Sequence, residues 1–210
     1  MIQVLIADDH AIVRKGLRQI LEETVDIVVA DEAGNATDVI DLIRHNSYDV
    51  LVLDISMPDN TGLDLLKQIK SDHPDQPVLI LSMHPEQQYA VRVIKAGASG
   101  YLTKESAPEQ LIQAIRKIAS GGRYITPSLA EKLAMALEVG SEKSMHDALS
   151  DREYQVMVLI ASGKTVTEIA NKLFLSVKTI STYRARVLEK MQMKNNAELT
   201  HYAIQHGLVD

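Results

Sequence analysis

Along residues 1–121, short unbroken apolar runs alternate with longer stretches in which apolar residues recur every three or four positions. The runs lie at 2–7, 27–30, 50–53 and 78–81, each closed by polar or turn-forming residues, and Tyr101-Leu102-Thr103-Lys104 reads as a fifth strand. Runs this short predict strands, and uninterrupted ones such as Val50-Leu51-Val52-Leu53 predict strands buried on both faces of a parallel sheet. Between them the periodic stretches predict helices over 11–23, 36–44, 62–71, 86–96 and 108–120. Leu111, Ile112, Ile115 and Ile118 show the spacing for the last of these.

Alternation of this kind winds helices over both faces of the sheet. The expected α/β architecture is a doubly wound, flavodoxin-like five-stranded parallel sheet in the order 2-1-3-4-5, because right-handed crossovers leave few alternatives. Its chemistry belongs at the carboxyl ends of the strands, near the switch point between the first and third. Asp8-Asp9 ends the first run and Asp54 ends the third, so these carboxylates should meet there.

The pattern changes after Gly121-Gly122. A helix is expected over 127–138, with Leu129, Leu133 and Leu137 on one side, and 138–147 reads as a polar, flexible linker. The remainder predicts a small all-α unit of four helices. Ser150-Asp151-Arg152-Glu153 forms a capping box opening helix 151–162, and Gly163 closes it. Helices follow at 165–173, 177–191 and 196–206, with Phe174-Leu175-Ser176 as the turn between the second and third. Two helices around a three-residue turn, the second bearing Lys178, Arg184 and Arg186, make a helix-turn-helix candidate. The expected organisation is therefore a first domain over 1–121, a linker segment over 122–147 and a helical domain over 148–210.

Charge sharpens that division. The whole chain carries −6, but residues 1–121 carry −7, residues 122–147 carry −1 and residues 148–210 carry +2. An acidic first part joined to a mildly basic last part points to two tasks. With no cysteine, disulfides, thiolate metal sites and a cysteine nucleophile are excluded. No apolar run approaches membrane-spanning length, and the start Ile2-Gln3-Val4-Leu5-Ile6-Ala7 lacks the pattern of a signal peptide, so a cytoplasmic protein without membrane association is expected.

Three convergent carboxylates repel one another, and a hard divalent cation with oxygen ligands relieves the repulsion; Mg²⁺ suits a site with few carboxylates, several waters and a phosphate. Ser82 and Lys104 lie at the ends of the fourth and fifth expected strands. A carboxylate nucleophile, a cation, a hydroxyl and an ammonium at successive strand ends suit phosphoryl transfer to Asp54, a reaction governed by positioning and charge neutralisation. Taken singly, each residue reads as an ordinary turn or surface group, and His10 reads as a solvent-facing or helix-start residue, not a ligand; the combination carries the inference.

Ile6-Ala7-Asp8-Asp9-His10, Leu53-Asp54-Ile55-Ser56-Met57-Pro58 with Gly62, Leu81-Ser82-Met83 and Gly100-Tyr101-Leu102-Thr103-Lys104-Glu105 resemble the receiver domain of two-component response regulators. The resemblance implies that Asp54 accepts a phosphoryl group from a sensor histidine kinase, and that Asp8, Asp9, Asp54 and the Ser56 backbone carbonyl organise Mg²⁺. It further implies that Ser82 and Lys104 hold the phosphoryl oxygens, that Tyr101 is the switch aromatic, and that Ser56 and His84 occupy positions that tune dephosphorylation.

Leu149-Ser150-Asp151-Arg152-Glu153, Gly163-Lys164, Glu168-Ile169-Ala170, Leu175-Ser176-Val177-Lys178-Thr179-Ile180 and Ala197-Glu198-Leu199 resemble the LuxR-type helix-turn-helix domain. The whole chain is thus similar to the NarL/FixJ class of response regulators. By that resemblance 177–190 is the recognition helix on double-stranded DNA. Ser181, Thr182 and Ala185 would face bases, while Lys178, Thr179, Tyr183, Arg184 and Arg186 would meet phosphates. Ser181 and Tyr183 stand where many members have Lys and His, which bears on base preference. Ile169, Leu173 and Ile180 read as core, and Ala197, Thr200, His201 and Ile204 as candidates for a dimer face on the last helix.

The expectation is a transcription regulator rather than an enzyme, whose phosphorylation controls homodimerisation and binding to paired half-sites. Two rivals differ from it. An aspartate-nucleophile phosphatase of the haloacid dehalogenase type needs a second Asp two residues after the nucleophile, where this chain has Ser56. A constitutive DNA-binding protein would not need the full set Asp8, Asp9, Asp54, Ser82 and Lys104.

Overall fold

The computed structural model describes residues 1–55, 57, 62–83, 86–106, 108–138 and 144–209, with the side chains at 87, 88, 132 and 135–138 set aside. The chain divides into two compact units, Met1–Ala130 and Glu131–Asp210. In the first, β1 (Ile2–Ala7), β2 (Ile27–Ala33), β3 (Val50–Asp54), β4 (Val78–Ser82) and β5 (Gly100–Thr103) form one parallel sheet in the order β2-β1-β3-β4-β5. Helices α1 (Ala11–Glu22), α2 (Ala36–His45), α3 (Gly62–Asp72), α4 (Glu86–Lys95) and α5 (Pro108–Ala119) alternate with the strands. Order and elements agree with the apolar pattern.

Both central strands, β3 and β4, are buried at every position, so their side chains fill both faces of the sheet. On one face Val4, Ile6, Val50, Val52, Leu79, Leu81 and Leu102 pack with Leu17 and Leu21 of α1 and with Leu111, Ala114, Ile115 and Ile118 of α5. Alternation along β5 sends Tyr101, 1% exposed, to the opposite face from Leu102. The edge strand β2 runs three residues beyond the apolar run 27–30. Its extension, Asp31-Glu32-Ala33, opens with two half-buried carboxylates on the edge strand before the buried Ala33, so an apolar run did not reveal it.

One close approach fixes the start of α3. The Gly62 N–H donates to the Ile55 carbonyl at 2.9 Å. A Cβ on Gly62 would stand 2.5 Å from the carbonyl oxygen of Asp54 and from the Cα of Ile55, so only glycine lets α3 begin against the backbone that carries Asp54.

Helix α6 covers Pro127–Glu138. In the second unit, α7 (Asp151–Ala161), α8 (Val166–Lys172), α9 (Val177–Lys190) and α10 (Asn196–Gln205) build the helical domain. The capping box expected at Ser150 is present, Ser150 accepting from the Glu153 N–H and Glu153 accepting from the Ser150 N–H; Thr165 and Glu168 form another. Each of the four helices ends in a Schellman-type turn, with a bond such as Leu175 N–H to the Ala170 carbonyl at 2.9 Å. The left-handed residue is glycine at Gly163 and Gly207 but Phe174 and Gln192 at the other two ends. One expectation is corrected here. The segment read as flexible to residue 147 contains a 3₁₀ turn, Met145–Ala148, whose His146 Nδ1 lies 2.8 Å from the Tyr202 hydroxyl. His146 also sits beside the rings of Tyr154 and His206. Aromatic docking onto α7 and α10 orders a stretch that lacks helical periodicity.

Candidate functional site

The carboxyl ends of β1, β3, β4 and β5 bring the expected residues to one edge. Asp8 follows β1, Asp54 ends β3, Ser82 ends β4, and Lys104 follows β5. Asp8 and Asp54 are each 1% exposed and Ser82 is fully buried, so their polar atoms act in a medium where charge is costly unless compensated. Backbone pairing carries Lys104 to its place: its N–H donates to the Ser82 carbonyl at 2.7 Å, just beyond the Ser82–Thr103 pair.

The Lys104 ammonium bridges the two buried carboxylates. Its Nζ lies 2.5 Å from Asp8 Oδ2 and 2.9 Å from Asp54 Oδ2. Burial alone lowers its pKa, but the Asp54 charge and the hydrogen bonds to Asp8 and Asp54 outweigh it and raise the pKa above the ordinary lysine value. Lys104 therefore stays cationic at neutral pH.

Asp8 also accepts from the His10 N–H through Oδ1 at 2.8 Å, which folds the strand end into the start of α1. Asp9 is different: its Oδ1 is buried and has no hydrogen bond among the described residues. His10 Nδ1 approaches that oxygen to 2.7 Å, outside hydrogen-bonding geometry. Potential ligand atoms of Asp8, Asp9, His10 and Asp54 lie within 4.8 Å of one another. An orphaned carboxylate oxygen beside two more carboxylates fits a hard, oxygen-preferring divalent cation. The His10 ring, read from the sequence as a solvent-facing or helix-start residue and not a ligand, is largely exposed but has a nitrogen close enough to this cluster to be a ligand atom.

Tyr101 lies one strand position before Leu102, packed inside the sheet's other face. Ser56 and His84 lie outside the described residues, so the carbonyl expected of Ser56 and the tuning role expected of His84 have no geometry here. Sequence reading missed Arg14 and Glu32. The Arg14 guanidinium donates to the Asp8 carbonyl at 2.6 Å and to Glu32 at 3.2 Å, which the one-turn spacing from His10 could have suggested.

On α9 the expected contact residues separate by face. Lys178, Ser181, Thr182, Ala185 and Arg186 are exposed, Thr179, Tyr183 and Arg184 are partly buried, and Ile180 and Val187 are fully buried against the bundle. Ile169 and Leu173 are core as expected. The Ser181 and Thr182 hydroxyls donate to the carbonyls of Val177 and Lys178, and Arg184 Nε is held 2.7 Å from Asn196 Oδ1 of α10. Lys178, Ser181, Thr182 and Ala185, spaced i, i+3, i+4 and i+7, thus form an exposed stripe on the helix after the turn. On α10, Ala197, His201 and Ile204 are exposed and Thr200 is partly buried.

Comparison with known proteins agrees with both parts. Residues 4–116 match the family model of the response regulator receiver domain, and residues 147–203 match that of bacterial regulatory proteins of the luxR family. The response regulator UvrY of Escherichia coli is 41% identical over 209 residues, covering 99% of this chain and 96% of that protein. The response regulator GacA of Pseudomonas aeruginosa is 37% identical over 211 residues, covering 100% of this chain and 99% of that protein. Among solved structures, RcsB of Salmonella enterica serovar Typhimurium, bound to the promoter rprA in the presence of phosphomimetic BeF3−, superposes with a TM-score of 0.64 at 32% identity, covering 96% of this chain and 98% of that one. The buried Asp–Lys edge and the helix-turn-helix unit belong to one family, and the chain is a member of the NarL/FixJ class of response regulators.

Proposed function

We propose that this chain is a phosphorylation-controlled DNA-binding transcription regulator in which Asp54 is the phosphoacceptor. The supporting observation is the bridge from Lys104 to Asp8 and Asp54 beside the orphaned Asp9 oxygen. In the proposed reaction an Asp54 carboxylate oxygen forms a bond to phosphorus as the phosphorus–nitrogen bond of a phosphohistidine on a sensor kinase breaks, and the imidazole leaves. Lys104 offsets the charge that accumulates on the phosphoryl oxygens, and the Ser82 hydroxyl hydrogen-bonds to one of them. Asp8, Asp9, Asp54 and the Ser56 carbonyl would hold Mg²⁺, which when bound supplies charge neutralisation between carboxylates and phosphoryl oxygens.

The output is assigned to residues 148–210, with residues 1–121 as receiver and 122–147 as connector. Lys178, Thr179, Tyr183, Arg184 and Arg186 meet phosphates, and Ser181, Thr182 and Ala185 face base edges in the major groove. Ser181 and Thr182 reach the bases by rotating away from their helix carbonyls. A new dianion at Asp54 biases Ser82 and Tyr101 and shifts the population toward a homodimer on paired half-sites, with Ala197, Thr200, His201 and Ile204 as its face on α10.

Intact-mass spectrometry after incubation with phosphoramidate and Mg²⁺ tests the first step. One phosphoryl adduct on the full chain is expected, absent in Asp54→Asn. An adduct that persists in that variant contradicts the assignment.

A further inference from the structure

We infer that Arg14, braced by Glu32, is a positioning residue for the divalent-cation site; the inference rests on the cation reading of the Asp8, Asp9 and Asp54 cluster given above.

Asp8 is fixed at every polar group. Its N–H donates to the Ala33 carbonyl at 3.2 Å, its Oδ1 accepts from the His10 N–H, and its Oδ2 faces Lys104. Its carbonyl oxygen accepts from Arg14 Nη1 at 2.6 Å. That carbonyl belongs to the peptide joining Asp8 to Asp9, so the guanidinium sets the plane from which Asp9 departs. Asp9 Oδ1 makes no hydrogen bond among the described residues, and the nitrogen 2.7 Å from it belongs to the largely exposed His10 ring. Its aim depends on the backbone, and the backbone is held from Arg14.

The guanidinium is itself held. Arg14 Nε donates to Glu32 Oε2 at 3.2 Å, and Arg18 Nε donates to Glu32 Oε1 at 2.6 Å. Arg14 and Glu32 side chains are only 19% and 24% exposed, so this is a partly desolvated relay rather than a surface pair. The hydrogen bond from Arg18, then that from Arg14, outweighs burial and lowers the Glu32 pKa. Glu32 remains an anion. Its charge matters, because an uncompensated guanidinium next to the site would repel a divalent cation. The polar extension of β2, unexplained by core packing, places that carboxylate opposite Ile6, two residues before Asp8.

A plain surface role for this relay predicts loss of stability and nothing more. A positioning role predicts loss of cation affinity. Groups that orient ligands without touching the ion typically contribute 10–100-fold to affinity. Arg14→Lys retains the charge but loses the planar fork whose separate Nη1 and Nε donors reach the Asp8 carbonyl and Glu32; Glu32→Gln keeps an acceptor and removes the compensating charge.

The experiment is a direct Mn²⁺ titration of the full chain, counting free ion by electron paramagnetic resonance without phosphodonor, on wild type, Arg14→Met, Arg14→Lys and Glu32→Gln, with a cation-free thermal melt of each. Wild type should bind one ion. The dissociation constant should rise roughly ten-fold in Arg14→Met, with smaller rises in the other two variants. Affinities unchanged from wild type, whether or not melting temperatures fall, overturn the positioning role while leaving the cation site intact. Wild type that binds no ion overturns the cation reading itself, and the inference with it.

Discussion

Lys104 is where the physics of the site concentrates. A single ammonium stands between two carboxylates that are almost wholly buried, and breaking such a set by removing one partner leaves charge without compensation. Lys104→Met should therefore destabilise the first unit by about 3 kcal/mol in cation-free buffer, and Mg²⁺ should restore part of the loss. Thermal denaturation with and without Mg²⁺ measures both; a variant as stable as wild type in the absence of cation contradicts the bridging role. At this scale the sequence pointed to Asp8, Asp9, Asp54, Ser82 and Lys104, because each lies at the end of an expected strand and strand ends share one edge. It concealed Arg14 and Glu32. Arg14 acts on a backbone carbonyl, hinted at only by its one-turn spacing from His10, and Glu32 sits in an edge-strand extension that hydropathy does not mark. His10 illustrates the same limit, since exposure and approach to Asp9 coexist in one side chain.

Strand and helix placement was legible because two periods, a continuous apolar run and a three-to-four spacing, alternate without conflict through the first unit. The 3₁₀ turn at Met145–Ala148 was not, because it is held by aromatic contacts from distant helices. Glu153 shows an element-level role beyond the capping box that announces it. It accepts from Lys190 at 2.6 Å, joining the start of α7 to the end of α9. Burial raises its pKa, but the hydrogen bonds from Lys190 and Ser150 prevail and lower it below the ordinary glutamate value of 4.5. A depressed carboxylate contributes stability that is present above its unfolded pKa and is lost as pH falls through the folded one. Glu153→Gln should cost about 1.5 kcal/mol at neutral pH, and the deficit should shrink below about pH 4.5. Hydrogen exchange of α7 and α9 amides in the full chain reads this locally. A deficit that stays constant on acidification contradicts a charge-dependent tie.

Across the whole chain, acidic chemistry and basic recognition are segregated. Residues 1–121 carry −7 and hold the carboxylate cluster, whereas residues 148–210 carry +2 and present the stripe of α9. The modest positive charge offers little non-specific attraction to DNA, and the function proposed above places control in dimerisation on paired half-sites. The most direct test of that account is fluorescence anisotropy of a duplex carrying paired half-sites, titrated with the full chain at fixed salt. Wild type and Asp54→Asn are compared with and without phosphoramidate and Mg²⁺. Affinity should rise at least ten-fold with phosphodonor in wild type, a coupling of about 1.4 kcal/mol, and should not change in the variant. Equal affinities in all four titrations would contradict phosphorylation control and leave a constitutive DNA-binding protein.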